Sequence, residues 1–166
     1  MPERRPKLSH LDARGAARMV DVSGKAVTAR EAVARGRIRI APSAMRLALA
    51  GRLAKGGVVE VARLAGIQAA KRTSDAIPLC HPLPLTHVDV ELLPRRDGFV
   101  IEARVRTDAK TGAEMEALHA VAVAALTVYD MVKAADQGMV IGEIVLVRKT
   151  GGKSSYARPV KKKARL

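Results

Sequence analysis

Val88-Asp-Val90-Glu-Leu92, the turn segment Pro94 to Gly98, and Phe99-Val-Ile101-Glu-Ala103-Arg-Val105-Arg106 decide the fold. Apolar and polar residues alternate along both arms. Successive side chains of a strand point to opposite faces, so each arm presents one apolar and one wet face. Two such arms around a turn predict an antiparallel hairpin. Downstream, Thr111-Gly-Ala-Glu114 has the spacing of a capping box, and the alanine-rich run behind it predicts a long helix to about Ala135, ended near Gly138. Val140 to Arg148 reads as a last strand. Upstream, Arg37-Ile38-Arg39-Ile40 alternates as a strand, Pro42-Ser43 opens a helix to Ala50, and Val58 to Arg72 repeats apolar residues at helical spacing. From Ile38 the order is strand, helices, strand, strand, helix, strand. That is the split βαβ of a ferredoxin-like fold, an α+β class with an antiparallel sheet packed against helices. Two further elements are expected before it: a short strand over Ala17 to Ser23, and a short helix opened by the Thr28 and Glu31 capping-box spacing and closed by Gly36.

Length and charge narrow the function. The chain has 166 residues, 48% of them hydrophobic, enough for one domain with its own core. The net charge of +14 is concentrated at the ends, because residues 1–7 hold three bases and one acid while 153–166 hold six bases and no acid. The expected division is a basic N-terminal tail over 1–7, a single α+β domain over 8–152, and a basic flexible C-terminal tail over 153–166. The body between the tails is only mildly basic, which suits an anionic small molecule as well as a polyanion. The only rings of the Phe/Tyr/Trp type in the whole chain are Phe99, Tyr129 and Tyr156. A binder that stacks bases on a row of aromatics is hard to build from these, so nucleic acid is an unfavoured partner. One cysteine, Cys80, excludes an internal disulfide and a multi-cysteine zinc site. With no export signal at the N-terminus and no long uninterrupted apolar run, a cytoplasmic location and no membrane partner are expected.

Three segments can carry chemistry. Leu79-Cys80-His81 sits among three prolines in the seven residues from Pro78 to Pro84, which stiffen extended backbone without a sheet. Neighbours on such a chain point to opposite sides, so Cys80 and His81 are poorly placed to share a metal. The long helix carries Glu114 and Glu116 at its start and Tyr129, Asp130 and Lys133 near its end. Met115 and Asp130 are fifteen positions apart, roughly 22 Å at ~1.5 Å per residue. Both ends of one rod cannot reach the same small molecule, so if both are functional, a site combines ends from two subunits. Finally, Lys149-Thr-Gly-Gly-Lys153-Ser suggests a phosphate loop, but position 147 is Val where that motif needs Gly, and a strand precedes it with no helix after. What survives is a glycine turn whose amides and flanking lysines can grip an anion.

Six blocks resemble one known family: Met19-Val-Asp21-Val-Ser, Gly66-Ile-Gln-Ala-Ala-Lys71-Arg-Thr, Ile77-Pro-Leu-Cys80-His81-Pro-Leu, Lys110-Thr-Gly-Ala-Glu114-Met115-Glu116-Ala-Leu, Ala124 to Lys133, and Lys149-Thr-Gly-Gly-Lys153-Ser. They are similar, in the same order, to the cyclic pyranopterin monophosphate synthases of molybdenum-cofactor biosynthesis. The resemblance implies a ferredoxin-like subunit, a homohexamer built as a trimer of dimers, and active sites at the dimer interface. It implies a lyase-type reaction in which 3',8-cyclo-7,8-dihydroguanosine 5'-triphosphate becomes the tricyclic pterin with its cyclic phosphate and releases pyrophosphate; no cofactor and no metal-ligating residues are expected, and a need for Mg2+ around the triphosphate stays open at this level. It assigns Lys55, Asp130 and Lys133 to catalysis. Leu79, Cys80, His81, Glu114, Met115 and Glu116 fall in its substrate-contacting segments, Lys149 and Lys153 in its phosphate-facing turn, and Asp21 and Arg30 at polar positions of the pocket. Ser74 departs from the pattern where some members have Trp, and the tail after Ser155 has no counterpart. The chemistry opens an imidazole, closes a pyrazine and displaces pyrophosphate, which calls for acids, bases and positive charge but no redox step. Which lysine donates and which accepts stays open at this level.

Overall fold

The hairpin forms as its alternation requires. In the computed structural model, whose described residues are 15–51, 53 and 56–159, it comprises strands β2 (Leu85–Arg95) and β3 (Gly98–Ala109). Val88, Val90 and Leu92 lie opposite Val105, Ala103 and Ile101, and all six but the half-buried Val88 are buried as one apolar face. Around the hairpin lie β1 (Thr28–Arg39), helices α1 (Pro42–Leu49), α2 (Val58–Lys71) and α3 (Thr73–Ala76), then α4 (Glu114–Val132), β4 (Val140–Thr150) and β5 (Tyr156–Ala157). The sheet order is β2-β3-β1-β4-β5 with every neighbouring pair antiparallel. The strand β3 is thus inserted between β1 and β2, as the split βαβ expects.

Helices α2 and α4 pack on the sheet and on each other. The core is built from small residues: Ala117, Ala120, Ala124 and Ala125 of α4 are buried, as are Ala32, Ala34 and Ala103 of the sheet, and Phe99 is its one large ring. By length and composition alone α4 is apolar enough to cross a membrane, but half of it is buried within this fold, which accounts for its apolarity. The closest approach is at Gly66 of α2, where a Cβ would stand 3.0 Å from the Ala120 carbonyl oxygen, 3.2 Å from Val90 Cγ1 and 3.3 Å from Ala124 Cβ.

Three local expectations change. Residues 28–36 belong to β1, not to a short helix. Glu31 does not cap anything: it lies opposite Arg106 and accepts from Arg106 Nε at 2.7 Å, and it pairs with Arg148 of β4 on its other side. Arg35 faces Glu102 likewise, with Nη2 donating to Oε2 at 2.6 Å. Pairing on both flanks of a central strand outweighs the weak local preference of an Ala/Arg/Glu sequence for helix. Gly36 sits in mid-strand against Val121 of α4. Thr111 does not cap α4, whose N-cap is Ala113 without a side-chain cap, because Glu114 is already the first helical residue and its carboxylate goes to Lys149. The stretch 17–23 is not a strand: it shows one bridge position at Ala17 and a turn beginning at Ser23.

An exposed helical Gly→Ala change normally gains about 1 kcal/mol. At Gly66 the gain should vanish, and Gly66→Val should lose about 2 kcal/mol or more through overpacking against the α4 backbone. Urea midpoints of the two variants check this; a Gly66→Val protein as stable as the parent would mean that α2 and α4 are not packed this closely.

Candidate functional site

The first turn of α4 stands between two adjoining hollows, about 210 Å³ and about 380 Å³, which share Lys25, Thr111, Gly112 and Glu114 as lining. The smaller is cationic. Lys25, Arg30, Lys110, Lys149 and Lys153 line it against only Glu31 and Glu114. The Arg30 guanidinium is fixed in place, with Nε donating to the Ala109 carbonyl at 2.9 Å and Nη2 to the Lys110 carbonyl at 3.1 Å. Lys110 Nζ donates to the Ser23 carbonyl at 2.7 Å. Lys149 Nζ reaches Glu114 Oε1 at 2.8 Å, both side chains half-buried. The glycine turn folds over Arg30: Gly151 and Gly152 have φ of 88° and 74°, and a Cβ on either would stand 2.2 Å from the Ala29 oxygen or 2.3 Å from Arg30 Nη1. Only glycine fits there.

The larger hollow has a mixed lining. Leu79, Cys80 and His81 face Met115 and Glu116 across it, with Val20 and Val22 at its rim. His81 Nε2 lies 2.8 Å from the Val20 carbonyl oxygen. A carbonyl only accepts, so Nε2 carries the hydrogen and a neutral His81 keeps its lone pair on Nδ1. Glu116 is 4% exposed. Burial, reinforced by the negative charge of Glu114, pushes its carboxyl up to about 7. Burial and the nearby Glu116 also push the Cys80 thiol up, which disfavours the thiolate.

Of the residues expected from sequence, Leu79, Cys80, His81, Glu114, Met115, Glu116, Arg30, Lys149 and Lys153 therefore line one connected cleft. Asp21 does not line either hollow; its carboxylate accepts from the Ser23 amide at 2.8 Å and hydroxyl at 2.7 Å, bonds that hold it below the usual carboxylate range. Asp130 and Lys133 form an exposed ion pair at 2.7 Å, which raises the lysine. They lie at the far end of α4, roughly 21 Å (Asp130) and 26 Å (Lys133) from Glu116 at ~1.5 Å per residue. Lys55 lies outside the described residues. Sequence reasoning overlooked Lys25 and Lys110. Lys25 directly follows the Ser23-Gly24 turn and Lys110 directly precedes Thr111-Gly112, so a basic residue beside a turn was the available signal in each case.

Five cations around a small hollow can hold a polyphosphate. Next to it, a carboxyl that keeps its proton near neutrality and an imidazole nitrogen with a free lone pair can give and take protons. Among the described residues, no group of three or more His, Cys, Asp or Glu is placed to hold a metal ion.

The state of Glu116 has a measurable consequence. As pH rises from its ordinary 4.5 through about 7, the folded protein keeps a proton that the unfolded chain has lost, so this group makes stability fall over that window. Glu116→Gln cannot ionise. Its stability relative to the parent should rise between pH 5 and pH 8 by roughly 3 kcal/mol at most, at ~1.4 kcal/mol per pKa unit. A difference in melting temperature that does not change with pH would show that Glu116 ionises like an exposed carboxylate.

The chain is similar to known proteins along most of its length. Residues 19–152 match the model of the MoaC family. A cyclic pyranopterin monophosphate synthase of Parvibaculum lavamentivorans is 59% identical over 150 residues, covering 89% of this chain and 94% of the relative. The synthase of the same name from Thermomicrobium roseum is 58% identical over 154 residues, covering 92% and 93%. That of Chloroflexus aurantiacus is 55% identical over 162 residues, covering 96% and 99%. With a match across both hollows, α4 and the sheet that supports them, the chain belongs to the MoaC family.

Proposed function

We propose that this protein is an enzyme that converts 3',8-cyclo-7,8-dihydroguanosine 5'-triphosphate to cyclic pyranopterin monophosphate and pyrophosphate in molybdenum-cofactor biosynthesis. The observation that carries the reading is the cationic hollow adjoining one lined by a carboxyl raised to about 7 and an imidazole, on segments shared with relatives that bear the synthase name. The triphosphate occupies the cationic hollow, where Lys25, Arg30, Lys110, Lys149 and Lys153 offset its charge and favour departure of pyrophosphate. The purine-derived rings lie between Leu79–His81 and Met115–Glu116. Opening the imidazole and closing the pyrazine require proton transfers at carbon–nitrogen bonds, with no net oxidation. Lys55, Asp130 and Lys133 carry these transfers. Asp130 beside Lys133 keeps that lysine protonated, which suits a donor.

The length of α4 supports a shared site. Asp130 and Lys133 cannot reach the cleft at the start of their own helix, so the working enzyme takes them from a neighbouring subunit. A homohexamer of three dimers with sites at the dimer interface satisfies this, and a cytoplasmic location suits its soluble substrate. The aspartate at position 21 orders the turn that carries Lys25.

Incubating the purified protein with the cyclic substrate should give the pterin product and pyrophosphate by mass detection; no product from authentic substrate would remove the assignment. Lys55→Ala and Lys133→Ala should each lower turnover about a hundredfold or more, the scale of a lost general acid or base, while substrate binding survives. Mixing a variant altered at Glu114 and Met115 with a Lys133→Ala variant should restore activity once subunits exchange. Verified exchange without activity would place each site within one chain. Cys80→Ala should stay within about tenfold of the parent, since a thiol pushed up by burial is a poor nucleophile.

A further inference from the structure

One part-buried hydrogen bond joins α4 to the segment that leads into the Leu79–His81 wall of the larger hollow. Thr73 opens α3 and is 2% exposed. Its hydroxyl lies 3.1 Å from the carbonyl oxygens of Ala69 and Ala70 at the end of α2, and 3.2 Å from Nδ1 of His119 on α4. A hydroxyl has one hydrogen, and carbonyl oxygens can only accept, so that hydrogen goes back to α2. The third contact must then be received by the hydroxyl oxygen, with His119 Nδ1–H as donor. The buried hydroxyl is fully used, and a neutral His119 carries its hydrogen on Nδ1.

Both partners are one short step from the hollow. His119 lies three and four positions beyond Glu116 and Met115, on the same side of α4. From Thr73 the chain runs to the opposite wall through two backbone hydrogen bonds: the Ile77 amide donates to the Thr73 carbonyl at 2.9 Å, and the Cys80 amide to the Ile77 carbonyl at 3.0 Å. The helix α3 between them is only four residues long and touches α4 lightly. Beyond that wall the Pro84 carbonyl accepts from the Thr107 hydroxyl at 2.8 Å, so the sheet ties the far end of this stretch and the Thr73–His119 bond ties its near end to α4.

We infer that His119 is a positioning residue: its bond to Thr73 sets the separation of the Leu79–His81 wall from the Met115–Glu116 wall, and so the fit of whatever ring system the hollow takes. It touches neither the cationic hollow nor the reacting atoms. The inference deepens the proposed function where it concerns substrate fit, but the geometry of the walls does not depend on which reaction occurs.

Cys80, the only cysteine of the chain, reports on one wall directly. The test is the rate at which iodoacetamide alkylates it at fixed pH in the full-length protein. Removing the donor in His119→Leu, or the acceptor in the nearly isosteric Thr73→Val, should speed alkylation about tenfold. His119→Asn, whose side-chain amide can donate in place of Nδ1, and Thr73→Ser should stay within about twofold of the parent. With the cyclic substrate, the two disrupted variants should raise KM more than they lower kcat, and the two conservative ones should restore KM. Thr73→Val carries the test if His119→Leu does not fold. Parental alkylation rates in the disrupted variants would overturn the inference, as would equal acceleration in His119→Leu and His119→Asn, which would mean that the ring fills space and the bond is immaterial. A parent protein that alkylates as expected but makes no product would sink the proposed reaction and leave the positioning role standing.

Discussion

The close approach of α2 to α4 is the constraint from which the rest of the molecule follows. With Gly66 against the Ala120 carbonyl and Ala117, Ala120, Ala124 and Ala125 buried along α4, the two helices lie nearly backbone to backbone on the sheet. Small side chains at a helix contact leave little room for adjustment, because an interior at crystal-like density has no slack volume to redistribute. That fixes the long helix as a rigid spine. Its first turn is therefore held beside the ends of β1 and β4, where Glu114 meets Lys149, and beside the proline-stiffened loop, where Met115 and Glu116 meet Leu79 to His81.

The same placement separates two carboxylates only two residues apart. Glu114 points to the cationic hollow and takes a lysine as partner. Glu116 turns into the mixed hollow, where burial and the charge of Glu114 keep its proton on. Burial that raises one carboxyl is a recognised way to obtain a general acid from a residue type that is ordinarily an anion. Here the paired carboxylate lies at the cationic hollow, suited to holding phosphate charge, and the raised one at the hollow suited to handling protons.

The charged side of the sheet shows how pairing overrides local preference. Glu31 is drawn from both sides by Arg106 and Arg148, and the cation beside it holds its carboxyl below the ordinary range. Exposed pairs of this kind contribute little stability individually. Their importance is in register: Glu31 opposite Arg106 and Arg35 opposite Glu102 would both be lost by a one-residue slip.

The hairpin, α2, α4 and the last strand were legible in the sequence because their hydrophobic periodicity is local and strong, and the βαββαβ order followed from them. So were the chemistry-bearing segments, since prolines around Cys80 and His81, acids at a helix start and a double glycine between lysines are visible without coordinates. The strand β1 was misread in part because its pairing partners lie more than sixty residues away in sequence, and an Ala/Arg/Glu stretch looks helical until both flanks are supplied. The roles of Lys25 and Lys110 were hidden for the same reason: charge next to a turn is ordinary, and only the folded chain brings it to the hollow that Lys149 and Lys153 line. The sequence determined which segments offer acids, bases and cations and how far apart the ends of one helix must be. Only the tertiary structure decided which of them share a cleft and which carboxyl keeps its proton, because proximity and burial arise from long-range packing that no local pattern encodes.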